Sequence, residues 1–307
     1  MSTGYFLQQC LNALTVSAFY SLVAVAYVLM HGVTRRFSLA FGALAVWSGY
    51  VVINISLWLM VRMPYATVLP VGLAAIFAVI ETAAVGHVTE RLVVRPLIRQ
   101  PSLAMLVATL GLALVLEELM RIQNGSRELW LQPILNVPMR IGGSDAFPIL
   151  VTPIQIIVLA IAIGLCALIV AFISHHPFGR VWRATSQDPV MAELAGVDVG
   201  RVVGASFALA AASAGAAGAL LAIYYGAVSF YFGLVIGLKT LFVAVVGGLD
   251  SVRGAFAGAL MLGVLETFWS GYVSAEYRDV ASFVVLTGLL ILFPAGLFAG
   301  ARRVDHA

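Results

Sequence analysis

Apolar residues run in blocks of about 20, the length a helix needs to cross a bilayer. The blocks are Tyr5–Met30, Phe37–Val61, Ala66–Val88, Leu103–Met120 and Thr152–Ser174, then Val202–Tyr225, Tyr231–Val246, Ala255–Gly271 and Val280–Phe298. Two of them depart from a plain span. Phe37–Val61 opens on the small-residue stretch Ser38-Leu39-Ala40-Phe41-Gly42, and Tyr231–Val246 is short and carries Lys239. The pattern predicts an all-α polytopic membrane protein of eight or nine transmembrane helices, some broken, forming a single transmembrane domain over residues 1–307. Its first half covers about 5–120 and its second about 202–298, with an external loop at 121–151 and a cytoplasmic loop at 175–201.

Composition agrees. Hydrophobic residues make up 62% of the chain and charged residues 10%, against about 25% charged in an ordinary globular domain. Mean hydropathy is +1.04. A soluble enzyme, a DNA-binding protein and a disordered scaffold are excluded, and the lipid bilayer is the expected surroundings. The net charge of +3 rests on 16 arginines and Lys239. They lie in short runs between apolar blocks and form no clustered basic face, so no nucleic-acid partner is expected. Cys10 and Cys166 sit inside apolar blocks with no metal-ligand spacing, and no metal site is expected.

The arginines also orient the chain. None precedes Arg35, so the first block lacks the basic start of a cleaved signal, and it is expected to stay with its N-terminus outside. Nine alternating crossings then place the C-terminus inside. On that plan 11 arginines fall in inner segments and 5 (Arg62, Arg121, Arg127, Arg140 and Arg278) in outer ones, as the positive-inside rule requires.

The inner loop carries the clearest local signal. Asp188 can accept from the free backbone N–H groups of a helix start, Pro189 suits the first helical position, and Gly196 suits a left-handed stop. A short exposed helix, Pro189–Ala195, follows, with Met191 and Leu194 on one face. It can serve as a docking helix for a cytoplasmic partner or lie on the lipid interface. The outer loop, with its scattered glycines and prolines, reads as an irregular or partly folded lid.

Ala78-Val79-Ile80-Glu81-Thr82 resembles Gly263-Val264-Leu265-Glu266-Thr267, five crossings away. The two segments would run in opposite directions, as in an inverted repeat. Glu81, Lys239 and Glu266 are the ionisable residues deepest in the apolar blocks. Each either serves transport or bonds a neighbouring helix. The only lysine falls in Gly233-Leu234-Val235-Ile236-Gly237-Leu238-Lys239-Thr240, one place out of register for a phosphate-binding loop, so the chain has no nucleotide site of its own. No His-Glu-x-x-His, clustered aspartate or serine–histidine pairing appears, and no catalytic residue is assigned. The breaks at Ser38, Phe41 and Gly42 and at Gly247, Gly248 and Ser251 are the substrate-path candidates, because half-helix ends expose backbone polar groups within a membrane; simple turns are the other reading of the same residues. Gly204–Ala219 and Gly254-x-x-x-Gly258 read as close helix packing.

Taken together, several stretches resemble the permease subunits of bacterial branched-chain amino acid ABC importers, the H-type member of the H/M pair. They are Glu90-Arg91-Leu92-Val93-Val94-Arg95-Pro96-Leu97, Gly125-Ser126-Arg127, Phe178-Gly179-Arg180-Val181-Trp182-Arg183-Ala184, Leu194-Ala195-Gly196-Val197, Gly247-Gly248, Glu276-Tyr277-Arg278-Asp279 and Pro294-Ala295-Gly296-Leu297. The resemblance implies a second permease subunit, identical or not, a periplasmic substrate-binding protein and two cytoplasmic ATPase subunits that use ATP. It implies the bacterial inner membrane. It also implies that the capped helix is the coupling helix, with Arg183, Asp188, Pro189, Glu193 and Gly196 as ATPase-coupling residues. The chain would bind no cofactor. Two departures stand out: Ser38-Leu39-Ala40-Phe41-Gly42 replaces the family's usual Asn-Phe-Ala-His-Gly, and Asp250 replaces a third glycine. Both leave the cargo open among branched-chain amino acids, urea, amides and small organic acids. A proton-coupled secondary transporter using Glu81 and Glu266 is the alternative.

Overall fold

The computed structural model describes residues 3–63, 65–98, 100–125, 129–144, 147–249, 251–293 and 296. Arg99, Ser126, Arg127, Asp250, Pro294, Ala295, Leu297, Arg302 and Arg303 lie outside the described residues. Helices α1 (Thr3–Thr34), α2 (Ala40–Arg62) and α3 (Val68–Thr89) come first. The last continues through a π-helical turn, Glu90–Val94, into α4 (Arg95–Leu97), and α5 (Ser102–Asn124) follows. After short strands come α6 (Pro153–His175), α7 (Pro177–Gln187), α8 (Pro189–Leu194) and α9 (Val199–Tyr225). The chain closes with α10 (Phe232–Gly247), α11 (Val252–Tyr272) and α12 (Arg278–Leu292).

Seven of these segments are long and apolar enough to cross a membrane: α1, α2, α3 through α4, α5, α6, α9 and α11. The shorter α10 and α12 complete the bundle. The chain is thus an all-helical, multi-pass membrane protein of the expected kind.

Helices α1 and α9 form the centre. Leu22 to Met30 of α1 is buried without interruption, and so are Ala214 to Leu220 of α9. Peripheral helices instead turn apolar side chains outward, such as Ile76, Phe77 and Ile80 of α3 and Ile161, Ile163 and Leu168 of α6. That is the pattern expected where lipid is the solvent.

Backbones approach closely because glycine and alanine leave room, and packing replaces the hydrophobic effect as the force between helices in lipid. A side chain on Gly218 would collide with the Ala45 carbonyl, one on Gly42 with the backbone of Gly233 and Gly237, and one on Gly254 with the backbone of Gly247. Gly218→Val is expected to lower the melting temperature in detergent by several degrees or abolish recovery. Gly164→Val on the open face of α6, where an added Cβ meets nothing, is expected to change it little. Melting curves of the two variants check this.

The two halves mirror each other. Helix α1 packs along α11 as α9 packs along α3, and α2 packs on α3 and α5 as α10 packs on α11 and α12. Helices α1 and α9 meet each other, as do α2 and α10. Leu22 of α1 meets Ser213 of α9 and Phe19 meets Tyr224, so the equivalent helices α1 and α9 run in opposite directions, as in an inverted repeat.

The segment between α5 and α6 is more ordered than a loose lid. Strand β1 (Leu129–Trp130) pairs with β4 (Ala227–Val228), and β2 (Met139–Ser144) pairs antiparallel with β3 (Phe147–Val151). The Gln8 side chain grips β3 at both backbone groups of Leu150, accepting from its N–H and donating to its carbonyl, each at 3.0 Å. This hairpin marks one end of the bundle; α7 and α8 mark the other.

Candidate functional site: a buried charge network and a capped end helix

Helix α2 begins deep inside the bundle. Residues 35–39 run as non-helical chain, and Ser38, Leu39, Ala40 and Phe41 are all buried. The backbone N–H of Leu39 donates to Thr109 Oγ1 at 3.1 Å, which satisfies one donor at the break. The Phe41 ring lies against Tyr27 and Phe207, each with its centroid 5.2 Å away. Tyr27 in turn donates its hydroxyl to the Gly237 carbonyl at 2.9 Å. The Phe41 side chain therefore fills the crossing of α2 and α10.

The symmetry assigns this break a partner. In the second half the chain leading into α10, around Ser229–Gly233, occupies the corresponding place, and Gly233 lies against Gly42. Gly247, Gly248 and Ser251 form the turn between α10 and α11 instead. Gly248 takes a positive φ of 99°, and Ser251 caps α11 by accepting from the Gly254 N–H at 3.2 Å. The geometry here is that of a tight turn in which Gly247 lies against Gly254.

Equivalent residues also brace the two glutamates. Trp47 and Lys239 are each the eighth residue of their helix, counted from Ala40 and Phe232. Trp47 Nε1 donates to both Glu81 carboxylate oxygens, at 3.0 and 2.8 Å. Lys239 Nζ donates to Glu266 Oε1 at 2.5 Å and to Asp279 Oδ1 at 2.7 Å. The Lys239 and Glu266 side chains are each only 3% exposed. Tyr20 donates to Glu266 Oε2 at 2.7 Å and Ser282 to Glu266 Oε1 at 2.9 Å. Arg278 closes the outer edge with Asp279 at 3.3 Å. One ammonium thus meets two carboxylates, and the second is balanced by a guanidinium. Four helices, α1, α10, α11 and α12, are tied together by this network.

Glu81 and Glu266 sit in separate braces, one on α2 and α3, the other on α10 and α11. The sequence had shown no pairing for Lys239; Tyr20, Asp279 and Ser282 were not singled out at all.

At the opposite end, α8 has the caps anticipated for it. Asp188 Oδ1 accepts from the N–H groups of Val190 and Met191 at 2.9 and 3.0 Å, and Gly196 takes φ +86°. Val190, Met191 and Leu194 are 63%, 63% and 78% exposed, and Glu193 is exposed beside them. The platform beneath is anchored: Arg183 Nη1 donates to the Ile173 carbonyl at 2.6 Å and Trp182 Nε1 to the Leu29 carbonyl at 3.1 Å. Helix α8 is thus an exposed, capped and partly apolar helix on an anchored base.

The fold is that of a multi-pass helical membrane protein built from two mirrored halves. The chain belongs to the family described as branched-chain amino acid transport system / permease component, whose family model matches residues 9–293. It is 33% identical over 293 residues to the high-affinity branched-chain amino acid transport system permease protein LivH of Salmonella typhimurium, covering 95% of each chain. It is 30% identical over 295 residues to the permease protein BraD of Pseudomonas aeruginosa, again covering 95% of each. Among solved structures, PsaBC from Streptococcus pneumoniae in complex with Fab aligns over 96% of this chain and 93% of that one. Its TM-score is 0.45 at 15% identity, too distant to carry an argument.

Proposed function

We propose that the chain is the permease subunit of an ATP-driven importer for a branched-chain or closely related amino acid. The family membership and the end-to-end match to LivH support the class of cargo. The observation that carries the coupling is α8: a six-residue helix capped at both ends, presenting Val190, Met191 and Leu194 to whatever lies beyond the bundle. In this reading Arg183, Asp188, Pro189, Glu193 and Gly196 form the contact with two ATPase subunits in the cytoplasm. A second permease subunit completes the pore, and a periplasmic binding protein delivers the cargo at the hairpin end. The chain itself carries out no chemistry and binds no cofactor; ATP is used by the partners. The α8 end then faces the cytoplasm of a bacterial inner membrane, with the N-terminus periplasmic and the C-terminus inside.

Transport follows from α2 and α10. Their starts meet at Gly42, Gly233 and Gly237, with Phe41 packed beside them, so a movement of α2 against α10 changes the space at the centre of the bundle. Helix α8 reaches that crossing through α7 and the C-terminal end of α1, where Trp182 is bonded to Leu29. Closure of the ATPases on α8 would be passed along this route.

In this mechanism Lys239, Glu266 and Asp279 hold helices together and pass no proton. Collapse of the proton gradient at constant ATP is therefore expected to leave uptake unchanged. Uptake that stops with the gradient while ATP is held constant would favour a proton-coupled transporter instead.

A further inference from the structure

A cavity of about 530 Å³ lies at the α8 end, within the usual size of small-molecule sites. Its walls come from the end of α1 (Val33–Arg36), the π turn, the α7–α8 junction (Thr185–Gln187 and Pro189) and the start of α9. Glu90 and Arg95 both line it. They are five residues apart, which would set them roughly 140° apart around an ordinary helix of 3.6 residues per turn. The π turn changes that: the Arg95 N–H bonds to the Glu90 carbonyl in the i→i+5 pattern, and both side chains reach the same cavity. Such single π turns occur often at functional sites.

The polar groups here are incompletely matched. Glu90 is 1% exposed, and among the described residues its Oε1 has no hydrogen-bond partner; the same holds for the buried Thr185 Oγ1. Arg95, His87 and Arg91 act electrostatically on Glu90, but no hydrogen bond or ion pair joins Arg95 to it among the described residues. Arg36 donates to the Ile98 carbonyl at 3.3 Å. Buried polar atoms without partners carry a desolvation cost that a ligand can relieve. What would match this cavity is one carboxylate for Arg95 and Arg36, one ammonium for Glu90, and an apolar group for Val33, Val199 and Val203. That is an apolar α-amino acid.

We propose that this cavity is a cytoplasmic amino-acid site, separate from the transport path, through which the internal pool of an apolar amino acid restrains the importer. Occupancy would fix the α7–α8 junction against α1 and α9, and so limit the movement of α8. The cytoplasmic side and the regulatory role rest on the transport reading above; the ligand chemistry rests on the cavity alone.

The test uses the permease assembled with its partner subunits in nanodiscs, with the binding protein omitted. Radiolabelled L-leucine is the probe, and the other apolar amino acids are competitors. Saturable binding is expected, weakened at least about tenfold by Glu90→Gln and by Arg95→Gln, each of which removes a charge-assisted hydrogen bond. Arg95→Lys should recover part of it. Inorganic phosphate, 4-methylpentanoate (carboxylate alone) and isopentylamine (ammonium alone) should compete far more weakly than leucine. In Glu90→Gln, 4-methylpentanoate should approach leucine. In proteoliposomes, leucine on the ATPase side should slow ATP hydrolysis in the wild type and do so less in either Gln variant.

No binding of any apolar amino acid by a complex that still couples uptake to ATP would overturn the site and leave the transport reading intact. Equal binding by wild type and both Gln variants, or displacement by phosphate as readily as by leucine, would also overturn it. Uptake independent of ATP would overturn the transport reading instead, and binding in nanodiscs would still report on the cavity.

Discussion

Replacing Lys239 by alanine is expected to be among the most damaging single changes in this chain. It leaves Glu266 buried at 2% exposure with its cation gone, and leaves Asp279 facing Arg278 alone. Removing one partner of a buried ion pair costs about 3–5 kcal/mol, because the remaining charge is stranded. In a membrane interior the stranded group has little water to turn to. Lys239→Ala should therefore lower the yield of folded protein and its melting temperature sharply. A paired change, Lys239→Met with Glu266→Gln, removes both charges and should recover a large part of the loss. Tyr20 and Ser282 can still bond a glutamine amide, and Arg278 can still balance Asp279. Thermal unfolding in detergent of the single and double variants measures this. A double variant no more stable than Lys239→Ala would show that the network is not what holds α10 to α11 and α12.

The second large effect falls at α8, on function and not on folding. Met191→Asp with Leu194→Asp places charge on two strongly exposed apolar positions. The six-residue helix and its Asp188 cap should persist, because neither side chain is packed in the bundle. Insertion and melting temperature should stay near wild type, while ATPase subunits dissociate and uptake falls by at least about tenfold, since interface anchors of this kind carry most of the binding energy. Asp188→Ala is a milder companion: losing an N-cap costs about 1 kcal/mol, enough to fray α8 and weaken docking without abolishing it. Co-purification of the ATPases with each variant checks both. Full retention of the ATPases by the double variant would remove α8 from the coupling path.

The sequence made some of this visible and concealed the rest, for identifiable reasons. The caps of α8 are local, set by Asp188, Pro189 and Gly196 within nine positions, and local chemistry can be read directly. The inverted repeat could be seen because Glu81 and Glu266 kept similar neighbours. Lys239, Glu266 and Asp279 come from three helices and lie 27 and 40 positions apart in their pairings, so no helical spacing could join them. Their burial signalled importance without revealing the partners. The correspondence between the chain entering α2 and the chain entering α10 was obscured because Gly247-Gly248 is the more conspicuous glycine signal. Glu90 and Arg95 were noted only as part of a motif; an α-helical count separates them, and only the π turn returns them to one face.

The most direct test of the central claim is substrate uptake into proteoliposomes holding the permease pair and its ATPases. A branched-chain amino acid is presented on its binding protein outside, with ATP sealed inside. Uptake is expected to require both the loaded binding protein and hydrolysable ATP, and to stop with a non-hydrolysable analogue. Uptake that proceeds without ATP or without the binding protein would contradict the account.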